Sequence, residues 1–290
     1  MMDKLKQFEF GVIPKSPPKN NLLYHYTDSK GLFGITTSGT LWATKLQYLN
    51  DSKEFRHAVE IAKLELDVRK SRKGLTDDED FLYSLLYARV ESMKGANTFI
   101  CSLSEEPDLL SQWRAYGGKG GYSIGFDYDK LIRLAHKQSF RLLPCIYELD
   151  KQKDLINYLI DEIKNMFFSD PTRYKDSLEK QRLQNKFYSP FLLMASTMKH
   201  PSFYEEKEWR LIGGPFRYDS NNARWRPTES KLLPYYIFDL KKDDKYAIDN
   251  IFIGPNNNRD LVIKSTNTFI SSMKKGWNTN YSNSPFRMKG

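Results

Sequence analysis

Apolar residues alternate with polar ones in several short stretches and recur every three or four positions in longer ones, and these two periods divide the chain into strands and helices. After a stiff Pro-Lys-Ser-Pro-Pro-Lys-Asn lead-in at 14–20, the stretch Leu22-Leu23-Tyr24-His25-Tyr26 reads as the opening strand. Asp28 and Ser29 can cap a helix reaching Ile35, Ser38-Gly39 stops it, and residues 40–44 form a second strand. An amphipathic helix follows from Asp51, with Phe55, Val59, Ala62 and Leu66 on one face, and another runs from Asp78 to Met93 with Phe81, Leu85 and Leu86. Residues 98–103, 122–126 and 141–148 read as strands, with a helix from Pro107 carrying Leu109, Trp113 and Tyr116 and another capped by Asp127. The stretch 150–198 is helical and charged. Strands return at 208–212, 235–240 and 251–253 before a last helix at 258–274.

Strands and helices are interspersed without a regular βαβ rhythm, which predicts an α+β fold with helices covering a sheet. No repeat or long linker divides the chain. The expected organisation is an extended lead-in at 1–20, one α+β domain at 21–274 with a helical insertion at about 150–200, and a polar, poorly ordered tail at 275–290.

Composition narrows the setting. No apolar run approaches the ~20 residues that span a bilayer, and residues 1–10 lack the apolar segment of a secretory signal, so a cytoplasmic protein without a membrane partner is expected. Forty-five Lys and Arg against 36 Asp and Glu give a net charge of +9, compatible with nucleic acid or a phosphorylated ligand, but the excess is diffuse. Cys101 and Cys145 sit in apolar stretches, as small buried thiols do, and suggest neither a disulfide framework nor a zinc site.

Chemistry-bearing motifs are few. Of the four histidines, His57 and His136 fall on exposed helix positions and His200 in a loop before Pro201, whereas His25 lies inside the first strand on the face opposite Tyr24 and Tyr26. No phosphate loop, dinucleotide fingerprint or nucleophile elbow is present. The glycines between Gly117 and Gly121 read as a turn, and Asp51 with Glu54 as a helix cap and its reciprocal partner. Glu205-Glu206-Lys207 has the acid-x-Lys form of metal-dependent nucleases, with Pro107-Asp108 as a distant upstream dipeptide, the least favoured of the readings considered. The segment Glu206-Lys207-Glu208-Trp209-Arg210-Leu211-Ile212 is more informative. As a strand it sets Glu208, Arg210 and Ile212 on one face, a carboxylate beside a guanidinium, and Trp209 with Leu211 on the other.

Tyr24-His25-Tyr26-Thr27, Asn50-Asp51 with Glu54, Trp113 to Gly117 with Gly121 to Phe126, and Glu206 to Leu211 together resemble a bacterial family of unknown function that is similar to the ADP-ribosyltransferase superfamily. The resemblance spans residues 22–255. It implies split, mainly antiparallel β-sheets gripping NAD as substrate, with no metal, and transfer of ADP-ribose to a protein or nucleic-acid acceptor or to water, as in a toxin or anti-phage effector. By the resemblance His25 would bond a ribose hydroxyl and Glu208 would take the late-strand acid position, with Arg210 orienting it or binding the pyrophosphate. Trp42 stands where many transferases carry tyrosine, and Trp42, Tyr48, Tyr116 and Tyr122 are alternative stacking partners for nicotinamide, with Tyr26 a further cofactor-binding candidate. A binding module for nucleotides or nucleic acid, without catalysis, is the competing expectation, motivated by the basic charge and the interleaved aromatics.

Overall fold

A computed structural model describes residues 16–48, 52–93, 97–117, 120–242 and 245–284. In chain order the elements are β1 (Leu22–Thr27), α1 (Ser29–Ser38), β2 (Thr40–Lys45), α2 (Ser52–Lys70), α3 (Asp77–Glu91), β3 (Phe99–Ser104), α4 (Leu110–Tyr116), β4 (Tyr122–Asp127), α5 (Tyr128–Lys137) and β5 (Phe140–Pro144). They continue with α6 (Leu149–Ser169), α7 (Ser177–Ala195), β6 (Glu208–Gly213), β7 (Ala223–Pro227), β8 (Leu232–Asp239), β9 (Lys241–Lys242), β10 (Lys245–Tyr246), β11 (Ile248–Ile253), α8 (Arg259–Ser272) and β12 (Asn278–Tyr281). The chain is α+β, and two compact units divide it.

One unit, which contains the sheet, has its described residues within Lys15–Lys45, Phe99–Pro144 and Glu205–Gly290. Ten strands join in the order β12-β11-β4-β1-β3-β2-β8-β7, with β6 on β3 and β5 on β6. All pairs are antiparallel except β11 with β12. Local chemistry explains the flanking helices. Asp28 accepts the Gly31 amide at 2.7 Å to start α1, and Gly39, at φ 68°, ends it in the left-handed region that glycine enters without a Cβ penalty. Asp127 caps α5 through the Lys130 amide at 2.8 Å, and α5 buries Leu131, Leu134 and Ala135 against the sheet while Arg133 and His136 stay exposed. The sheet side of this core includes Leu23, Leu41, Cys101, Ile124, Phe126, Trp209, Leu211 and Phe238. Each fully buried large apolar side chain contributes roughly 1.5–3 kcal/mol.

Four strands fall outside the sequence expectation, and two of them, β9 and β10, pair with each other in a separate two-stranded sheet. β7 is an edge strand, and β12 lies within the expected polar tail, where Trp277 is buried and Ser282 donates to Asp108 at 2.5 Å. The helix expected from Pro107 begins at Leu110 instead, because Asp108 is occupied elsewhere: it accepts Trp113 Nε1 at 2.7 Å and the Asn283 amide at 3.0 Å.

The other unit is helical, and its described parts are Leu46–Thr98 and Cys145–Tyr204. The helical stretch expected at 150–200 is thus joined by α2 and α3 in one body. Thr76 and Glu79 form a capping box at α3, and Arg69 of α2 meets Asp161 of α6 at 2.5 Å. His57 is half-buried rather than exposed, because its Nε2 lies 3.0 Å from Gln152 Oε1. The expected Asp51 cap lies outside the described residues. No helix among the described residues is long and apolar enough to cross a membrane.

Candidate functional site

The sheet forks on one edge of β3. β2 pairs with its start, at Thr44↔Ile100 and Lys45↔Phe99, and β1 pairs with its end, at Tyr24↔Ser104. Between these points Cys101, Ser102 and Leu103 have no ladder partner on that side. An unpaired backbone carbonyl needs a substitute donor. His25 supplies it, with Nδ1 3.0 Å from the Ser102 carbonyl. Because a carbonyl only accepts, Nδ1 carries the proton. Burial pushes the His25 pKa down, partly offset by the Ser102 carbonyl and reinforced by the charge of Arg226. The ring is therefore neutral near pH 7, and its Nε2 is a hydrogen-bond acceptor with no partner among the described residues.

The opposite edge of β3 pairs with β6 along its whole length, including Ser102↔Arg210 and Ser104↔Glu208. Tyr24, Ser104 and Glu208 thus form one row across β1, β3 and β6, and with strands ~4.8 Å apart the Glu208 backbone lies about 10 Å from β1. Glu208 and Arg210 share a face as the sequence predicts, joined by Nε to Oε1 at 2.8 Å and Nη2 to Oε2 at 3.3 Å. Both are almost wholly buried, at 4% and 1% exposure, so this is no surface pair. The chain enters β6 through Lys207, which takes a left-handed φ of 40° and pairs with Glu106.

Alternation directs His25 away from the face of Tyr24 and Glu208, so the imidazole and the acid leave their strands on opposite sides. Cys101 links them. Its sulfur lies 3.7 Å from His25 Nδ1, and burial followed by the charge of Glu208 pushes its thiol pKa up to about 12, with Arg226 acting the other way.

The aromatic candidates separate clearly. Trp42 is 46% exposed and stacks on Tyr235, with ring centres 4.4 Å apart. Tyr26 is buried, donating to the Glu106 carbonyl at 2.6 Å, accepting the Leu109 amide at 2.9 Å and lying edge-on to Trp113. Tyr122 is buried with its hydroxyl 3.2 Å from Thr266. Tyr116 is exposed at the end of α4, and Tyr48 belongs to the helical unit. Trp42 alone combines a strand beside the fork with an open ring face. Sequence reading missed Ser102, Thr44, Tyr235 and Arg226; the alternation Arg224-Trp225-Arg226 was the available signal for the last. Among the described residues no group of three or more His, Cys, Asp or Glu is placed to hold a metal ion.

Residues 112–211 match a family model described as a protein of unknown function (DUF2971). The match takes in β4, β5 and the Glu208–Arg210 pair and stops short of His25. No curated protein matches the chain.

Proposed function

We propose that the sheet unit consumes NAD, cleaving the bond between nicotinamide and ribose and passing ADP-ribose to an acceptor or to water, in the manner of an ADP-ribosyltransferase. The observation that carries this reading is the fork, with a neutral imidazole at its edge and a carboxylate–guanidinium pair on the strand behind β3. His25 Nε2 would accept a ribose hydroxyl. In the reaction the glycosidic electron pair departs with nicotinamide, which leaves as a neutral ring, and the sugar carbon takes on oxocarbenium character. The nucleophile then adds to that carbon and loses its proton. Glu208 leaves β6 on the other side of the sheet from His25 and is paired with Arg210, so this reading requires it to turn from Arg210 toward the sugar; there it would stabilise the developing charge, an interaction stronger in the transition state than in the ground state.

A second reading is favoured by the burial of Glu208: a nucleotide-binding module in which Glu208–Arg210 is purely a strut. Nicotinamide release from NAD by the purified protein, followed by mass spectrometry of the products, separates the two. Glu208→Gln is expected to lower release about 100-fold, the scale of one lost transition-state contact. Glu208→Asp, which keeps the charge, serves as a control should the amide variant not fold. Unchanged release in folded Glu208→Gln would remove Glu208 from the mechanism. ADP-ribose binding with no release would support the binding module, and neither binding nor release would remove both.

A further inference from the structure

Two arginines of β7 are left unused by this mechanism. Arg224 and Arg226 alternate with Trp225, and the ladder sets them on the face of Tyr235 and Leu233 in β8 and of Thr44 in β2. Arg226 is half-buried and reaches across β8, donating from Nη2 to Thr44 Oγ1 at 3.2 Å. Among the described residues no carboxylate pairs with Arg224 or Arg226, whereas Arg69, Arg173, Arg182, Arg210 and Arg217 each meet one. A guanidinium partly withdrawn from water and lacking a counter-ion favours the arrival of an anion. Thr44, itself 4% exposed, accepts from Arg226 and keeps its own O–H to donate. The charge of Arg226 is also a minor contribution, behind burial, to the pKa values of His25 and Cys101.

We propose that Arg226, with Thr44 and Arg224, is a phosphate-binding site on the β2 branch of the fork, suited to the diphosphate of a nucleotide. The planar guanidinium fork matches two phosphate oxygens, and the threonine hydroxyl supplies a third donor. The identity of the phosphate's carrier rests on the nucleotide reading above; the anion site itself does not. Trp42, stacked on Tyr235, lies two residues before Thr44 on the same strand face, the face that Glu208 and Arg210 also share.

The test is isothermal titration of the full chain with inorganic pyrophosphate, ADP-ribose and the phosphate-free nicotinamide riboside. Arg226→Gln is expected to weaken pyrophosphate and ADP-ribose by roughly 10- to 100-fold, the scale of a lost charged hydrogen bond, and to leave the riboside within about twofold. Arg226→Lys should retain part of the affinity. As a measurement that needs no variant, pyrophosphate should protect Arg226 of the native protein from an arginine-specific dicarbonyl reagent, read by peptide mass spectrometry. Equal pyrophosphate affinity in the parent and Arg226→Gln, absence of binding to the parent, or no protection would overturn the site. Pyrophosphate binding without nicotinamide release keeps this site and removes the catalytic reading; release indifferent to Arg226 does the reverse.

Discussion

Glu208 and Arg210 stand two residues apart on β6 and close a two-point ion pair that water scarcely reaches, with Nε to Oε1 at 2.8 Å. Attraction between such groups offsets a large desolvation cost only while both are present. Removing one partner takes away the direct counter-charge of a buried group. Glu208→Gln is therefore expected to lower unfolding free energy by about 3–5 kcal/mol, measured by urea denaturation, and the double variant Glu208→Gln/Arg210→Gln by less. A single variant as stable as the parent would show that the pair does not brace β6.

The neutral His25 gives stability a pH dependence of known sign. Its folded pKa lies below the ordinary value of 6.5, mainly through burial. The unfolded chain therefore binds more protons than the folded one as pH falls through 6.5, and stability falls with it until the folded pKa is reached. Denaturation at pH 7.5 and 5.5 should show a larger loss for the parent than for His25→Asn, whose amide can still donate to the Ser102 carbonyl. Equal losses would contradict a neutral imidazole at His25.

Cys101 is expected to resist alkylation. With its thiol pushed up to about 12, about one molecule in ten thousand carries the thiolate at pH 8, and the sulfur is also buried. Iodoacetamide at pH 8 should leave Cys101 unlabelled in the folded protein and label it in urea, as peptide mass spectrometry would report. Ready labelling in the folded state would mean that the fork opens far wider than described.

Asp108 ties the end of the chain to α4, through Ser282, Asn283 and Trp113. Asp108→Ala leaves these donors unpaired, at a cost of roughly 1–3 kcal/mol each where water cannot replace the carboxylate. Amide exchange in residues 278–284 should accelerate while β1 and β4 stay protected. Unaltered exchange at β12 would mean that its parallel pairing with β11 suffices.

Sequence periodicity revealed the elements whose apolar patterns are strong. Asp28 and Gly39 marked both ends of α1, and the spacing of Glu208 and Arg210 gave their common face. β7 and β12 were not legible. Ala-Arg-Trp-Arg-Pro places two arginines and a proline on an edge, where water can satisfy the backbone, and Asn-Thr-Asn-Tyr has no apolar alternation, so its strand exists because β11 offers a free ladder edge. Gly125 illustrates the same limit: a Cβ there would lie 2.4 Å from Asn250 Oδ1, a constraint set by a residue half the chain away. The candidate site divides likewise. His25 and Glu208 stood out by type and position, while Thr44, Ser102 and Arg226 acquire meaning only from their neighbours.

What the amino-acid order determined is local: which residues cap, which alternate, and that an acid and a guanidinium emerge side by side from one strand. Long-range pairing decided the rest. Whether β1 and β2 share an edge of β3, leaving a carbonyl for an imidazole between them, depends on hydrogen bonds between residues from 54 to 80 positions apart. Backbone donors and acceptors are chemically identical along the chain, so no residue type announces which ladder partner it will lack.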